Sequence, residues 1–120
     1  MSTVLLVEDT PTQMQLIESY LRQAGHVVIR ITDAKEAVNK AAEKQPDVII
    51  TDVVMPGMSG FELCRRLKNN PATANIPIVI CSSKDQEIDR LWGMRQGAKA
   101  YLVKPFSQEQ LIRTVKIAMA

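Results

Sequence analysis

Short apolar runs alternate along this chain with longer segments in which apolar residues recur at helical spacing. The runs are rich in β-branched residues and nearly continuous, which is typical of strands buried on both faces of a parallel sheet. They lie at 4–7, 27–31, 48–50, 76–80 and 100–103. Each is followed by a segment whose apolar stripe predicts an amphipathic helix.

The stripes and their start signals agree with one another. A residue able to cap a helix precedes each stripe, with Glu or Gln three positions later. These capping candidates are Thr10, Asp33, Ser59, Ser83 and Ser107. The stripes comprise Met14, Ile17, Leu21 and Ala24; Ala34, Ala37, Val38 and Ala41; Phe61, Cys64 and Leu67; Ile88, Leu91 and Trp92; and Leu111, Val115 and Ala118.

This alternation predicts one α/β domain over residues 1–120. Its architecture is (βα)₅, a doubly wound parallel five-stranded sheet with helices on both faces, because crossovers between parallel strands are right-handed. The expected strand order is the flavodoxin-like 2-1-3-4-5. Trp92 lies on the fourth stripe, and an aromatic residue in that position is expected in the core.

Composition narrows the class of protein without naming a function. The net charge of +2 and the scattered basic residues argue against DNA binding. No apolar run is long enough to cross a bilayer, and the N-terminus lacks the features of a secretory signal. Cys64 and Cys81 have no metal-type spacing, so we expect reduced, buried thiols. The chain is therefore predicted to be cytoplasmic, with no DNA or membrane partner.

Polar side chains follow four of the five predicted strands. Glu8 and Asp9 follow strand 1, Asp52 follows strand 3, Ser82 ends strand 4 and Lys104 follows strand 5. Ligands of open doubly wound sheets bind beyond the carboxyl ends of the strands, and strands 1 and 3 are neighbours in the expected order. The three carboxylates should therefore converge, with Ser82 and Lys104 reaching them from the other side.

This set suits a metal ion and a phosphoryl group. Three clustered carboxylates repel one another unless a cation or a proton intervenes. Mg²⁺ prefers oxygen ligands and is often bound by a few carboxylates together with phosphate. Lys104 and Ser82 could bind phosphoryl oxygens, and Asp52 could act as the nucleophile that forms an aspartyl-phosphate. Taken singly, each residue would be a cap, a turn former or a surface charge, so the prediction depends on their joint placement.

The stretches 5–9, 47–60 and 97–106 resemble the receiver domains of bacterial two-component response regulators, and the likeness covers the whole chain. It implies that Mg²⁺, with Mn²⁺ as an alternative, is held by Glu8, Asp9 and Asp52 and by the backbone carbonyl of Val53. It also implies that Asp52 accepts a phosphoryl group from a histidine kinase, and a chemotaxis-like hybrid kinase is one candidate for that partner.

The same resemblance assigns the phosphoryl-binding and switch residues. Ser82 and Lys104 correspond to the residues that bind phosphoryl oxygens. Tyr101 corresponds to the aromatic switch that turns inward when Ser82 moves towards the phosphate. The Lys104–Pro105 bond matches the cis peptide of the family, a form that costs little only before proline.

A narrower resemblance concerns residues 83–98, which are similar to stand-alone receivers of twitching-motility systems that control type IV pili. Since the printed sequence ends at Ala120, we expect no output domain. We expect output through a downstream protein bound to the surface of helix 4, strand 5 and helix 5. The expected state is a monomer or a phosphorylation-dependent dimer, a phosphoacceptor rather than a dedicated enzyme.

Two positions depart from some chemotaxis receivers, namely Val54 and Lys84, where the relatives carry polar or acidic groups. We therefore predict slow self-dephosphorylation. Three other classes of protein fit the sequence less well. A related phosphatase would need a general acid where Val54 stands, and a flavin module would need a phosphate loop where Glu8 and Asp9 stand. A docking-only pseudo-receiver would not be expected to retain the full set of site residues.

Overall fold

A computed structural model describes residues 2–120, which form five strands and five α-helices in alternation. The strands are β1 (Thr3–Val7), β2 (Val27–Ile31), β3 (Val48–Thr51), β4 (Ile78–Ser82) and β5 (Ala100–Val103). The helices are α1 (Pro11–Gln23), α2 (Ala37–Lys44), α3 (Gly60–Lys68), α4 (Glu87–Arg95) and α5 (Gln108–Met119), and a short 3₁₀ turn (Ala34–Glu36) precedes α2.

The strands pair in parallel in the order β2-β1-β3-β4-β5. This confirms the predicted α/β class, the doubly wound sheet and its strand order. Leu5 of β1 lies opposite Ile29 on one side and Ile49 on the other. Since β1, β3 and β4 are interior strands with helices on both faces, their residues are apolar at consecutive positions.

The side chains of alternate strand residues pack into two separate cores, one on each face of the sheet. One core joins Leu5, Ile49 and Ile80 to the buried faces of α2 and α3. The other joins Leu6 and Ile50 to α1 and α5. This division follows from the two-residue period of a strand, which sends neighbouring side chains to opposite faces of the sheet.

Cys64 and Cys81 are free and buried, and they belong to the two different cores. A disulfide between them would have to cross the sheet. Burial raises the pKa of the Cys64 thiol to about 11 and that of Cys81 to about 12. Both thiols are therefore protonated at neutral pH and have little nucleophilic character.

The predicted start signals are confirmed for two helices. The Ser59 hydroxyl accepts a hydrogen bond from the Glu62 amide at α3, and the Ser107 hydroxyl accepts one from Gln110 at α5. The signal predicted at Ser83 was wrong, because α4 starts after Gln86, whose amide donates to the Asp89 carboxylate. At the first helix Thr10 occupies the cap position, but its side chain makes no capping bond.

Two further element boundaries differ from the prediction. Asp33 caps the 3₁₀ turn through the Lys35 amide rather than α2 itself. The fourth strand begins at Ile78, two residues later than the apolar run that starts at Ile76. Pro77 has no N–H to donate to a neighbouring strand, which explains the later start.

The largest difference from the sequence prediction concerns α4. Its apolar residues Ile88, Leu91 and Trp92 are 67%, 51% and 48% exposed. The expectation that Trp92 lies in the core was therefore wrong. The buried residue of α4 is Gly93. The helical period shows that these side chains share a face, but it cannot show whether another element covers that face. Here α4 packs beside the edge strand β5, and its apolar stripe remains in solvent.

Within residues 2–120, no helix has the length and apolar character needed to span a lipid bilayer.

Candidate functional site

The carboxyl ends of β1 and β3 place two acidic residues side by side. These strands are neighbours, with Val7 opposite Thr51, and each runs directly into an acidic residue. The Glu8 amide donates to the Ile31 carbonyl at 3.0 Å, and the Asp52 amide donates to the Val7 carbonyl at 3.3 Å. Parallel pairing thus continues past the strand ends and positions Glu8 and Asp52 at one edge of the sheet.

The three predicted carboxylates converge there. One carboxylate oxygen from each of Glu8, Asp9 and Asp52 lies within 4.8 Å of the others. Glu8 is only 1% exposed, and its Oε2 atom is buried without a hydrogen-bond partner among the described residues. Asp9 and Asp52 are partly exposed. An unpartnered buried carboxylate oxygen beside two other carboxylates is a donor set that fits Mg²⁺.

Lys104 is the positive charge of the site. Its Nζ atom lies 2.7 Å from Glu8 Oε1 and 3.6 Å from Asp52 Oδ2, and its side chain is 12% exposed. The Lys104 amide donates to the Ser82 carbonyl at 2.8 Å, which extends the β4–β5 pairing. The pKa of Glu8 is raised, mainly because the carboxyl group is buried. The hydrogen bond and the charge of Lys104 lower this pKa, whereas the charge of Asp52 raises it further.

Ser82 and Tyr101 are linked through the backbone of Lys84. Ser82 is fully buried at the end of β4, and its Oγ accepts a hydrogen bond from the Lys84 amide at 3.2 Å. The Tyr101 hydroxyl donates to the Lys84 carbonyl at 2.8 Å. Burial raises the pKa of the Tyr101 phenol. Both side chains therefore contact the same residue of the β4–α4 loop. The Lys104–Pro105 peptide bond is cis.

The loop after β3 is held tightly against the start of α3. Asp52 Oδ1 accepts a hydrogen bond from the Val53 amide at 2.7 Å, and the Val53 carbonyl accepts one from the Gly60 amide at 2.8 Å. A methyl group built on Gly60 would lie 1.9 Å from the Asp52 carbonyl oxygen. Only glycine allows this approach. Val54, which follows Val53 in this loop, is 63% exposed.

These contacts add to what the sequence predicted. The structure brings together the side chains of Glu8, Asp9, Asp52 and Lys104, as expected. Ser82 joins them through its backbone carbonyl, which accepts from the Lys104 amide. The carbonyl of Val53, a predicted metal ligand, accepts a hydrogen bond from the Gly60 amide. Sequence reasoning assigned no role to Gly60. The available signal was a glycine directly after the Ser59 cap, a position that no helix start requires to be glycine.

A groove of about 420 Å³ opens the site to solvent between α1 and the segment after β5. Both polar and apolar side chains line its walls. They comprise Thr10, Gln13, Leu16, Asp52, Ser83, Lys104, Pro105 and Phe106. Because Asp52 lines this groove, an external group can reach its carboxylate.

Comparison with known proteins agrees with this site. The family model for the response regulator receiver domain matches residues 4–116. The chain is 40% identical to protein PilH of Pseudomonas aeruginosa over 120 residues, which cover 100% of this chain and 99% of PilH. It is 35% identical to protein PilG of the same species over 113 residues, covering 94% of this chain and 84% of PilG.

Solved structures show the same fold. Chemotaxis protein CheY4 of Vibrio cholerae superposes with a TM-score of 0.91 at 34% identity, covering 98% of both chains. The receiver domain of sensor histidine kinase PA1611 from Pseudomonas aeruginosa gives a TM-score of 0.91 at 29% identity, covering 98% of this chain and 97% of its own. That structure has a magnesium ion coordinated in its active-site cleft. The chain therefore belongs to the response regulator receiver domain family, within its pilus and chemotaxis branch.

Proposed function

We propose that this protein is a signalling switch of a two-component phosphorelay, in which Asp52 accepts a phosphoryl group from a histidine kinase. One observation carries the proposal: carboxylate oxygens of Glu8, Asp9 and Asp52 lie within 4.8 Å of one another, and Lys104 contacts two of these residues. Such a cluster is costly unless a cation offsets its charge, and a bound cation then allows an anionic phosphoryl group to approach. The activity concerns the protein's own phosphorylation state and is not that of a dedicated enzyme.

Mg²⁺ is the proposed cofactor, with Mn²⁺ as an alternative, held by Glu8, Asp9 and Asp52. The predicted backbone ligand, the Val53 carbonyl, would have to share its oxygen with the Gly60 amide. The Val54 carbonyl accepts no hydrogen bond from the described residues 2–120 and is the less encumbered choice. When bound, the ion supplies positive charge that offsets the charge of the carboxylates and of phosphoryl oxygens.

Asp52 supplies the nucleophile. Its Oδ1 atom is engaged by the Val53 amide, whereas Oδ2 faces Lys104 at 3.6 Å. We assign the attack to Oδ2. A new oxygen–phosphorus bond forms as the phosphorus–nitrogen bond of phosphohistidine breaks, and the imidazole leaves with the bonding electrons. Lys104 and Ser82 then bind phosphoryl oxygens, so catalysis consists of positioning and charge neutralisation.

Phosphorylation changes the hydrogen bonds of Ser82. Its Oγ now accepts from the Lys84 amide, and donation to a phosphoryl oxygen would draw it away from that position. The Lys84 backbone is also the partner of the Tyr101 hydroxyl. A shift of Ser82 therefore changes the contacts that hold the Tyr101 ring. In this way the charge of the phosphoryl group biases Tyr101 and the β4–α4 loop between two arrangements.

The output surface that we propose lies on α4 and β5, continuing to α5. Ile88, Leu91, Trp92 and Val103 there are 67%, 51%, 48% and 38% exposed. A group of exposed large apolar side chains is typical of a protein-binding surface. We infer that a downstream protein binds here. Pilus-based motility is the proposed setting, from the similarity to PilH and PilG.

The phosphoryl group is proposed to be long-lived. Val54 is 63% exposed beside Asp52, and its side chain has no polar atom with which to orient an attacking water. Lys84, two residues after Ser82, is exposed and carries a cation rather than a carboxylate or an amide. General-base assistance to hydrolysis is therefore weak at both positions.

The test is phosphorylation of purified protein by acetyl phosphate or by a partner kinase in Mg²⁺, measured by intact mass. Wild type is expected to gain one phosphoryl group, which EDTA prevents. Asp52→Asn is expected to gain none, while Asp85→Asn, an exposed aspartate outside the cluster, behaves like wild type. Phosphorylation of Asp52→Asn to the wild-type extent would overturn the assignment.

A further inference from the structure

Helix α4 rests on the sheet through a glycine. Gly93 is its buried residue in the described chain, while Ile88, Leu91 and Trp92 project into solvent. Glycine is the least favourable residue in a helix interior after proline. Its presence in the middle of α4 therefore calls for a physical reason, which its surroundings supply.

The space over Gly93 is bounded by side chains from three elements. A methyl group built on it would lie 3.0 Å from Ile80 Cδ1 of β4 and 3.1 Å from Tyr101 Cδ2 of β5. It would also lie 3.4 Å from Phe61 Cε1 of α3. The distances to Ile80 and Tyr101 are shorter than ordinary carbon–carbon contacts, so even one added methyl would need these two side chains to move.

Tyr101 is the neighbour that connects Gly93 to the phosphoryl site. Its ring occupies the space beside Gly93 that a side chain would fill, and its hydroxyl donates to the Lys84 carbonyl at 2.8 Å. The Lys84 amide donates in turn to Ser82 Oγ at 3.2 Å. A continuous series of contacts therefore runs from Ser82 through Lys84 and Tyr101 to the middle of α4.

We propose that Gly93 is a positioning residue of the switch. By leaving room for the Tyr101 ring, it couples the Ser82 end of the β4–α4 loop to the exposed apolar surface of α4. This inference rests on the proposed function, because Ser82 is expected to move when a phosphoryl group binds. The ring can pack under α4 only where that helix has no side chain, so the position of α4 depends on the position of the ring.

The experiment uses Mg²⁺ with beryllofluoride as the phosphoryl mimic, and it measures two quantities separately. Fluorine NMR reports binding of beryllofluoride at the acceptor site. The emission of Trp92, the one tryptophan of the sequence and the residue next to Gly93, reports the state of α4. Wild type is expected to bind the mimic and to show a change in Trp92 emission.

Gly93→Ala is expected to bind beryllofluoride within about threefold of wild type while losing about half or more of the Trp92 response. Tyr101→Phe, which keeps the ring and removes the hydroxyl, should show a similar loss. Because both act on one connection, the double variant should be no worse than the more impaired single variant. Met94→Ala, the adjacent and more exposed position, should respond like wild type.

If Gly93→Ala does not fold, the substitution is tested together with Ile80→Val. That change removes the Cδ1 atom that the new methyl would meet at 3.0 Å. A full Trp92 response in the alanine variant overturns the inference, as does a wild type that binds the mimic with no Trp92 response. Additive losses in the double variant also overturn it. Failure of wild type to bind beryllofluoride at all would instead overturn the proposed function.

Discussion

Lys104 Nζ lies 2.7 Å from Glu8 Oε1 and 3.6 Å from Asp52 Oδ2, so one lysine contacts the acidic residues that follow two neighbouring strands. Glu8 is buried and has a second oxygen without a hydrogen-bond partner among residues 2–120. Lys104 is therefore the main counter-charge of Glu8 in the metal-free protein. Any group that binds Lys104, such as a phosphoryl oxygen, competes with that ion pair.

Replacing Lys104 by methionine should destabilise the metal-free protein. The change leaves the Glu8 carboxylate buried without its cation, and breaking a buried pair in this way costs about 3 kcal/mol or more. Urea unfolding in EDTA at pH 7 measures the loss. Lys99→Met, at an exposed lysine whose Nζ donates to the Ala120 carbonyl, should change the free energy of unfolding by less than about 0.5 kcal/mol.

The penalty of Lys104→Met should depend on pH. Burial already raises the folded-state pKa of Glu8 above 4.5, and removing Lys104 takes away the contact that lowers it. A raised folded-state pKa gives a contribution to stability that is present below the unfolded pKa and is lost as pH rises through the folded value. The variant should therefore lose least near pH 5 and most at pH 7 and above. An equal loss at both pH values would contradict this explanation.

Magnesium should stabilise wild type through the carboxylate cluster. At a concentration one hundred times its dissociation constant, the ion should add about 2.7 kcal/mol to the free energy of unfolding. Asp9→Asn should lose most of that gain, since one ligand carboxylate is replaced by a neutral amide, and Asp85→Asn should keep it. Thermal unfolding with and without Mg²⁺ measures the difference. Equal stabilisation of Asp9→Asn and wild type would place the ion elsewhere.

Val54→Asn should shorten the lifetime of the phosphoryl group. An amide at this exposed position, two residues after Asp52, can orient a water for attack on phosphorus, which valine cannot. We expect hydrolysis about tenfold faster, less than the 10²–10⁴ typical of a full general base. Timing phosphoryl loss by mass spectrometry in Mg²⁺ measures it. Val54→Leu is the matched control, and an unchanged rate in Val54→Asn would count against the predicted slow turnover.

Gly60→Ala should be strongly destabilising. Its methyl would lie 1.9 Å from the Asp52 carbonyl oxygen and 3.0 Å from the Val53 Cα, and backbone atoms cannot turn aside as a side chain can. Forced overpacking of this kind costs about 3 kcal/mol. Gly25→Ala is the comparison, because no atom lies within 4 Å of its added methyl and only its φ of +92° is unfavourable. A smaller loss at Gly60 than at Gly25 would mean that the β3–α3 loop can shift freely.

Much of the fold could be predicted from sequence because it depends on local periodicity. The β-branched runs predicted five strands buried on both faces. This is confirmed for the interior strands β1, β3 and β4, but the edge strands β2 and β5 are partly exposed because each pairs on one side only. The stripes of α1, α3 and α5 predicted faces that the structure largely buries. The grouping of Glu8, Asp9 and Asp52 could also be predicted, because parallel strands end at a common edge. The roles of these residues in phosphoryl transfer stay predictions that the experiments above test.

Other features depend on which elements meet in space. Periodicity placed Ile88, Leu91 and Trp92 on one face of α4, but only the packing of that helix beside the edge strand left the face exposed. The sequence likewise contained Gly60 and Gly93 without showing what approaches them. The sequence by itself therefore determined the elements, their order and the chemistry at the strand ends, because these follow from local pattern. The tertiary structure alone decided the Lys104–Glu8 pair, the exposure of the apolar face of α4 and the close packing around Gly60 and Gly93. Each of these features depends on atoms that are distant in the chain.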